Sequence, residues 1–164
     1  MKFILTILFC WGTLSAFSQI DTARPPYQRY PTLPPMQLLL SDSATLFTKA
    51  NLSKNKPVLL MLFSPECSHC QHTAEELQQY KEELKNIEIV MATMHSITQM
   101  NQFIQTYRLN ELPNVVVGRD IYYILPPFYN IRNLPFMAFY DKKGKLISVF
   151  EGSLPMQKVV AVFK

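Results

Sequence analysis

Apolar residues along the chain fall into two arrangements: unbroken runs of strand length, and single positions recurring every three or four residues. The runs Val58-Leu59-Leu60-Met61-Leu62-Phe63 and Ile87-Glu88-Ile89-Val90-Met91-Ala92-Thr93-Met94 predict strands, the first apolar throughout, as in a central strand covered on both faces. Between them Ala74, Leu77, Tyr80 or Lys81, and Leu84 recur at helical spacing, with Glu75, Glu76, Glu82 and Glu83 marking the solvent side. This predicts a helix over 71–85 and a βαβ unit, whose strands run parallel with a right-handed crossover. Ile97, Met100, Phe103, Ile104 and Tyr107 predict a further amphipathic helix, Val115-Val116-Val117 a short strand, and 120–129 a helix broken by Pro126-Pro127. Pro135, directly before Phe136-Met137-Ala138-Phe139-Tyr140, must start its strand or lie at an edge. Asp141-Lys142-Lys143-Gly144-Lys145 reads as a hairpin turn into Leu146-Ile147-Ser148-Val149-Phe150, and 155–164 as a short helix with Val159, Val160 and Phe163 inward.

Upstream of the first strong strand the pattern is weaker. Gln37-Leu38-Leu39-Leu40 predicts a short strand, and Ser41-Asp42-Ser43 offers N-cap residues to a helix through Leu46, Phe47, Ala50 and Leu52. Residues 19–37 carry Pro25-Pro26, Pro31 and Pro34-Pro35, which predict an extended lead-in. Residues 1–18 begin with Met1-Lys2, continue through an apolar stretch, and end with small residues at Ala16 and Ser18, as in a signal peptide cut before Gln19. The competing reading, a retained membrane anchor, is disfavoured because the apolar stretch falls short of the ~20 residues that cross a bilayer. Phe9 stands where a lipidated Cys10 would follow a small residue. Cleavage leaves about 146 residues, enough for one domain over 38–164 with one core. The elements predict an α/β fold: a central mixed sheet with a parallel βαβ half and an antiparallel C-terminal hairpin, flanked by helices.

Composition narrows the function classes. With 48% hydrophobic and 17% charged residues, extensive disorder is excluded. The net charge of +4 concentrates only at Lys142-Lys143-Gly144-Lys145, a solvated turn without interleaved aromatics, so a nucleic-acid surface is not indicated. The methionines Met61, Met91, Met94, Met100 and Met137 occupy apolar positions of predicted elements and read as core filler.

The candidate chemistry lies at Cys67-Ser68-His69-Cys70, where the first strand gives way to the helix. Thiols three residues apart on a helical first turn can close a small disulfide, and unpaired N–H groups with the positive helix end stabilise a thiolate at the first of them. The site therefore reads as redox chemistry, with Cys67 attacking and Cys70 resolving. A permanent staple would close too short a loop to remove much chain entropy. Zinc would need about four ligands, and after cleavage only His69, His72 and His95 remain to join the two cysteines. His72 reads as solvated and His95 as a satisfied strand-end histidine.

The strand, Ser64-Pro65-Glu66-Cys67-Ser68-His69-Cys70, the helix, and Tyr129-Asn130-Ile131-Arg132-Asn133-Leu134-Pro135 before a hairpin resemble the thioredoxin fold over residues 38–164. Predicted export makes the chain most similar to the periplasmic thiol–disulfide oxidoreductases of the TlpA/ResA-like group. The resemblance implies that Cys67 and Cys70 are the redox pair. It implies that Pro135 is the family's cis-proline, which keeps metal from the thiols, and that the backbone of Leu134 pairs with the substrate chain. Three positions depart from thioredoxin. Glu66 replaces the tryptophan before the first cysteine, Met61 replaces the buried aspartate that relays a proton to the resolving thiol, and Ser68-His69 replaces Gly-Pro. Glu66 opposes a thiolate at Cys67, whereas a protonated His69 would favour it, as in strongly oxidising enzymes with His-Cys at the same place. The expectation is a monomeric envelope enzyme without organic cofactor or metal. It exchanges disulfides with exported proteins as a reductant, and a membrane or soluble partner recycles its dithiol. The alternatives are a disulfide-forming oxidase with the same site, or a Cu(I)- or zinc-binding module using Cys67, Cys70 and a histidine.

Overall fold

The computed structural model describes residues 24–164; the predicted signal segment lies outside them. Their elements are α1 (Pro26–Arg29), β1 (Gln37–Leu39), β2 (Leu46–Thr48), β3 (Val58–Leu62), α2 (Ser68–Gln79), α3 (Lys81–Leu84), β4 (Glu88–Thr93), α4 (Ile97–Thr106), β5 (Val115–Asp120), α5 (Leu125–Tyr129), β6 (Phe136–Tyr140), β7 (Leu146–Glu151) and α6 (Met156–Val162). The strands form one 7-stranded sheet in the order β2-β1-β5-β4-β3-β6-β7. β3 is parallel to β4, with Val58 opposite Glu88 and Leu62 opposite Ala92, and β4 is parallel to β5. β6 runs antiparallel to β3 and to β7, so the expected mixed α/β sheet is present.

Every residue of β3 and β4 is buried, which explains their lack of alternation. Leu59, Met61, Met91 and Met137 pack with Cys70, Leu77, Phe103 and Val159 of α2, α4 and α6 on one face. On the other, Leu60, Val90 and Ala138 pack with Met36, Leu125, Tyr129 and Tyr140. The parallel strands β3, β4 and β5 end at one edge of the sheet, and antiparallel β6 begins there. Four connections therefore meet at that edge: Phe63–Cys67, Met94–Ser96, Ile121–Ile124 and Asn130–Pro135.

Three predicted elements differ from the observed ones. The helix expected through Leu46, Phe47, Ala50 and Leu52 is instead a hairpin, β1 with β2, followed by a 3-10 turn at Lys49–Asn51. Asp42 Oδ1 accepts from the amides of Ala44 (2.9 Å) and Thr45 (2.8 Å), and Ser43 takes φ 59, so the residues read as a helix cap close a turn. The helix expected over 71–85 begins earlier, at Ser68, and is interrupted at Tyr80 before α3. The helix expected over 120–129 shrinks to α5 because β5 extends through Asp120. Pro126 and Pro127 then fall in the first turn, where missing N–H groups cost nothing.

The lead-in is not wholly extended. Pro26–Arg29 forms a helical turn, and the Tyr27 ring lies 5.8 Å from that of Tyr129 on α5. Beyond it Leu33 donates to the Gly144 carbonyl and Met36 is buried, so the described part of this segment is docked on the domain.

Candidate active site

Cys67 is the N-cap of α2, in extended conformation, and its Sγ accepts from the Cys70 amide at 3.4 Å. The cap that Ser, Thr or Asp usually supplies is here a sulfur atom. Its thiol also reaches the Leu134 carbonyl at 3.7 Å, which joins it to the segment leading into β6. The Leu134–Pro135 peptide bond is cis. Pro135 is buried, and its carbonyl accepts from the Gly152 amide at 2.8 Å, while Glu151 accepts from the amide and side chain of Asn133. The β6–β7 hairpin thus holds the Leu134 carbonyl over Cys67.

The two thiols are free and unlike one another: Cys67 is half-buried and Cys70 fully buried. Burial, then the hydrogen bond and charge of Cys67, push the Cys70 thiol up to about 12, against a smaller opposing pull from the Ser64 backbone and its own amide. Met61 is fully buried on the same face as Cys70. The buried carboxylates among the described residues are committed elsewhere: Glu88 accepts from the Ser53 amide at 2.7 Å, and Asp120 from the amides of Ile124 and Leu125.

The remaining residues singled out in the sequence are placed as follows. Glu66 is exposed, and its Oε1 accepts from Gln99 Nε2 of α4 at 3.2 Å. His69 is exposed, with its carbonyl accepting from Thr73 Oγ1 at 2.9 Å. His72 is exposed beside Glu75 and Glu76. Among the described residues no group of three or more His, Cys, Asp and Glu side chains gathers as a metal site.

Gln71 and Gln99 went unrecognised in the sequence, whereas His95, read there as a satisfied strand-end histidine, does find a partner. His95 Nε2 lies 3.0 Å from Ser64 Oγ at the start of the cysteine loop. Gln71 Nε2 donates to the Pro65 carbonyl at 2.8 Å, and Gln99 holds Glu66. A cavity of about 330 Å³ beside the loop is lined by Pro65, Glu66, Gln71, Gln99, Gln102 and Phe103, among others. The signal for the partner of His95, Ser64, was present: β3 and β4 were both predicted, and parallel neighbours end side by side.

The chain belongs to the thioredoxin-like domain family, whose model matches residues 47–164. No curated protein matches it by sequence. Among solved structures, the fold is similar to that of a secreted disulfide oxidoreductase from Mycobacterium tuberculosis homologous to E. coli DsbE. Identity is 20%, coverage 78% of this chain and 93% of that one, and the TM-score 0.65. StoA from Bacillus subtilis is also similar, at 16% identity, with 80% and 98% of the two chains covered and a TM-score of 0.61. A thiol–disulfide oxidoreductase from Bacteroides fragilis matches at 16% identity, with 80% and 99% covered and a TM-score of 0.64.

Proposed function

We propose that the protein is a thiol–disulfide oxidoreductase of the cell envelope that reduces disulfides in exported proteins, acting as a monomer without cofactor or metal. The observation that carries this reading is the unlikeness of the two thiols. Cys67 is accessible at a helix N-terminus, while Cys70 is buried, protonated at neutral pH, and within reach of the Cys67 sulfur.

Cys67, as thiolate, attacks one sulfur of a substrate disulfide; a Cys67–substrate disulfide forms and the other substrate sulfur leaves as a thiolate. Cys70 then gives up its proton and attacks Cys67 Sγ, closing the Cys67–Cys70 disulfide and releasing the second substrate thiolate. Two electrons pass to the substrate and the released thiolates take up protons. A dithiol partner, membrane-bound or soluble, returns the electrons. The Leu134 carbonyl, held over Cys67, is the backbone group against which the substrate chain pairs. Envelope location is supported by the predicted leader and by the secreted mycobacterial protein of similar fold. Among the described residues no helix is long and apolar enough to cross a membrane.

The test is covalent trapping. Cys70→Ser, incubated with a disulfide-bearing exported protein, should accumulate a mixed disulfide through Cys67 that dithiothreitol releases, and Cys67→Ser should accumulate none. Equal trapping by both variants would refute the assigned roles.

A further inference from the structure

Ser64 bonds to Glu66, Cys67 and Cys70 around the dithiol. Its carbonyl accepts from the Cys67 amide at 3.1 Å, its Oγ accepts from the Glu66 amide at 3.2 Å, and its backbone favours the Cys70 thiolate. The same Oγ lies 3.0 Å from His95 Nε2. His95 is itself fixed: it follows β4, its amide donates to Thr93 Oγ1 at 3.2 Å, and Ser96 beside it caps α4. A second tie reaches the cysteine loop from the first turn of α4, where Gln99 donates to Glu66. The turn after β4 and the start of α4 therefore brace the cysteine loop at one point each.

Met61 is buried on the same face as Cys70, and the buried carboxylates among the described residues, Glu88 and Asp120, are committed elsewhere. We infer that His95 is a positioning residue for the dithiol, acting through Ser64 so that its protonation speeds the attack of Cys70 on the Cys67 mixed disulfide. The inference rests on the exchange reading proposed above.

The hydrogen-bond inventory gives the switch its form. A neutral imidazole accepts the Ser64 hydroxyl proton at Nε2. An imidazolium instead donates there, which turns the hydroxyl proton away and places a positive charge beside the loop. A positive charge nearby favours a thiolate. The other titratable and charged groups around the pair are Cys67, Cys70 and exposed Glu66 on the loop. On β5 are Arg119, in register beside Thr93, and buried Asp120; α4 presents neutral Ser96 and Gln99.

The experiment follows reduced protein reacting in a stopped-flow instrument with an aromatic disulfide whose released thiolate absorbs visible light. The first equivalent reports attack by Cys67, the second attack by Cys70. A thiol far below its pKa gains about tenfold in rate per pH unit. Wild type should gain less than this between about pH 5.5 and about pH 8, because the positive charge at His95 is lost as pH rises. His95→Gln keeps a hydrogen-bonding group at Ser64 but cannot titrate. Its second phase should show the full slope, running roughly five- to tenfold slower than wild type near pH 5.5 and converging with it above pH 8. Ser64→Ala, which removes the tether, should lose the same low-pH advantage. Second phases that match wild type at every pH, or are slower by one constant factor, would overturn the inference and leave His95 a packing residue. A wild-type chain that releases no second equivalent would overturn the exchange reading, and the inference with it.

Discussion

Alkylation of the reduced protein should be almost wholly selective for Cys67, and the margin follows from the environment of Cys70. That thiol is fully buried and its pKa stands at about 12 against an ordinary 9.0. At pH 7 an ordinary thiol is ionised to about one part in a hundred, and Cys70 to about one part in a hundred thousand. Since the thiolate is the nucleophile, ionisation alone slows Cys70 about a thousandfold relative to a free cysteine, before burial restricts the reagent further. Iodoacetamide in excess at neutral pH should therefore label one thiol per chain, and peptide mass mapping should place it at Cys67. Cys70 should become labelled only after denaturation. In a Cys67→Ser variant Cys70 loses the thiol that raises its pKa, but burial remains, so it should still react far more slowly than the same residue in urea. Labelling of both thiols at comparable rates in the folded chain would refute the claim that the fold keeps Cys70 protonated.

The same shift sets a pH dependence of stability. The folded pKa of Cys70 lies above the unfolded one, so its contribution is complete below about pH 9 and is lost as pH rises from there toward about 12, at roughly 1.4 kcal/mol per pH unit. Tyr140, pushed up to about 12, and Tyr129 add to the loss above pH 10, so the test is the difference in melting temperature between reduced wild type and Cys70→Ala across pH 8 to 11. A constant difference contradicts the assignment. The hydroxyls of Tyr129 and Tyr140 bond to one another on the far face of the sheet. Tyr129→Phe should cost about 1–3 kcal/mol by leaving Tyr140 unpartnered, and the double change to Phe should recover part of that in chemical denaturation. In Gly118→Ala the new Cβ would stand 2.7 Å from Leu38 Cβ on β1, so a loss of about 1–3 kcal/mol is expected, and an unchanged denaturation midpoint would contradict that contact.

What could be read in the chain depended on whether a signal was local. β3 and β4 declared themselves because strands buried on both faces are apolar at nearly every position, and the hairpin after Pro135 because Asp141 to Lys145 supply a turn that Asp141 Oδ1 closes onto the amides of Lys143 and Lys145. The cysteine pair was legible from its place between strand and helix. The stretch after Ser41 misled because Asp42 uses the same side-chain oxygen to cap a helix or to close a turn. Only the pairing of Leu46 with Leu39 and of Phe47 with Leu38 decides between them, and that pairing is tertiary. The same holds for α5, where Pro126 and Pro127 read as breakers until the length of β5 moved the helix start to Leu125. The brace of Ser64 by His95 joins residues 31 apart, and no periodicity reports such a contact.

The central claim is that Cys67 and Cys70 form a reversible two-electron couple. Its most direct test is equilibration of the purified protein in graded dithiothreitol and glutathione buffers, with thiols counted after acid quenching. One transition should consume both thiols together, nearer the thioredoxin value of about −270 mV than the value of about −120 mV typical of a disulfide donor. A transition at the oxidising end would reverse the direction of electron flow while keeping the site. Thiols that never close a reversible disulfide across that range would contradict the claim outright.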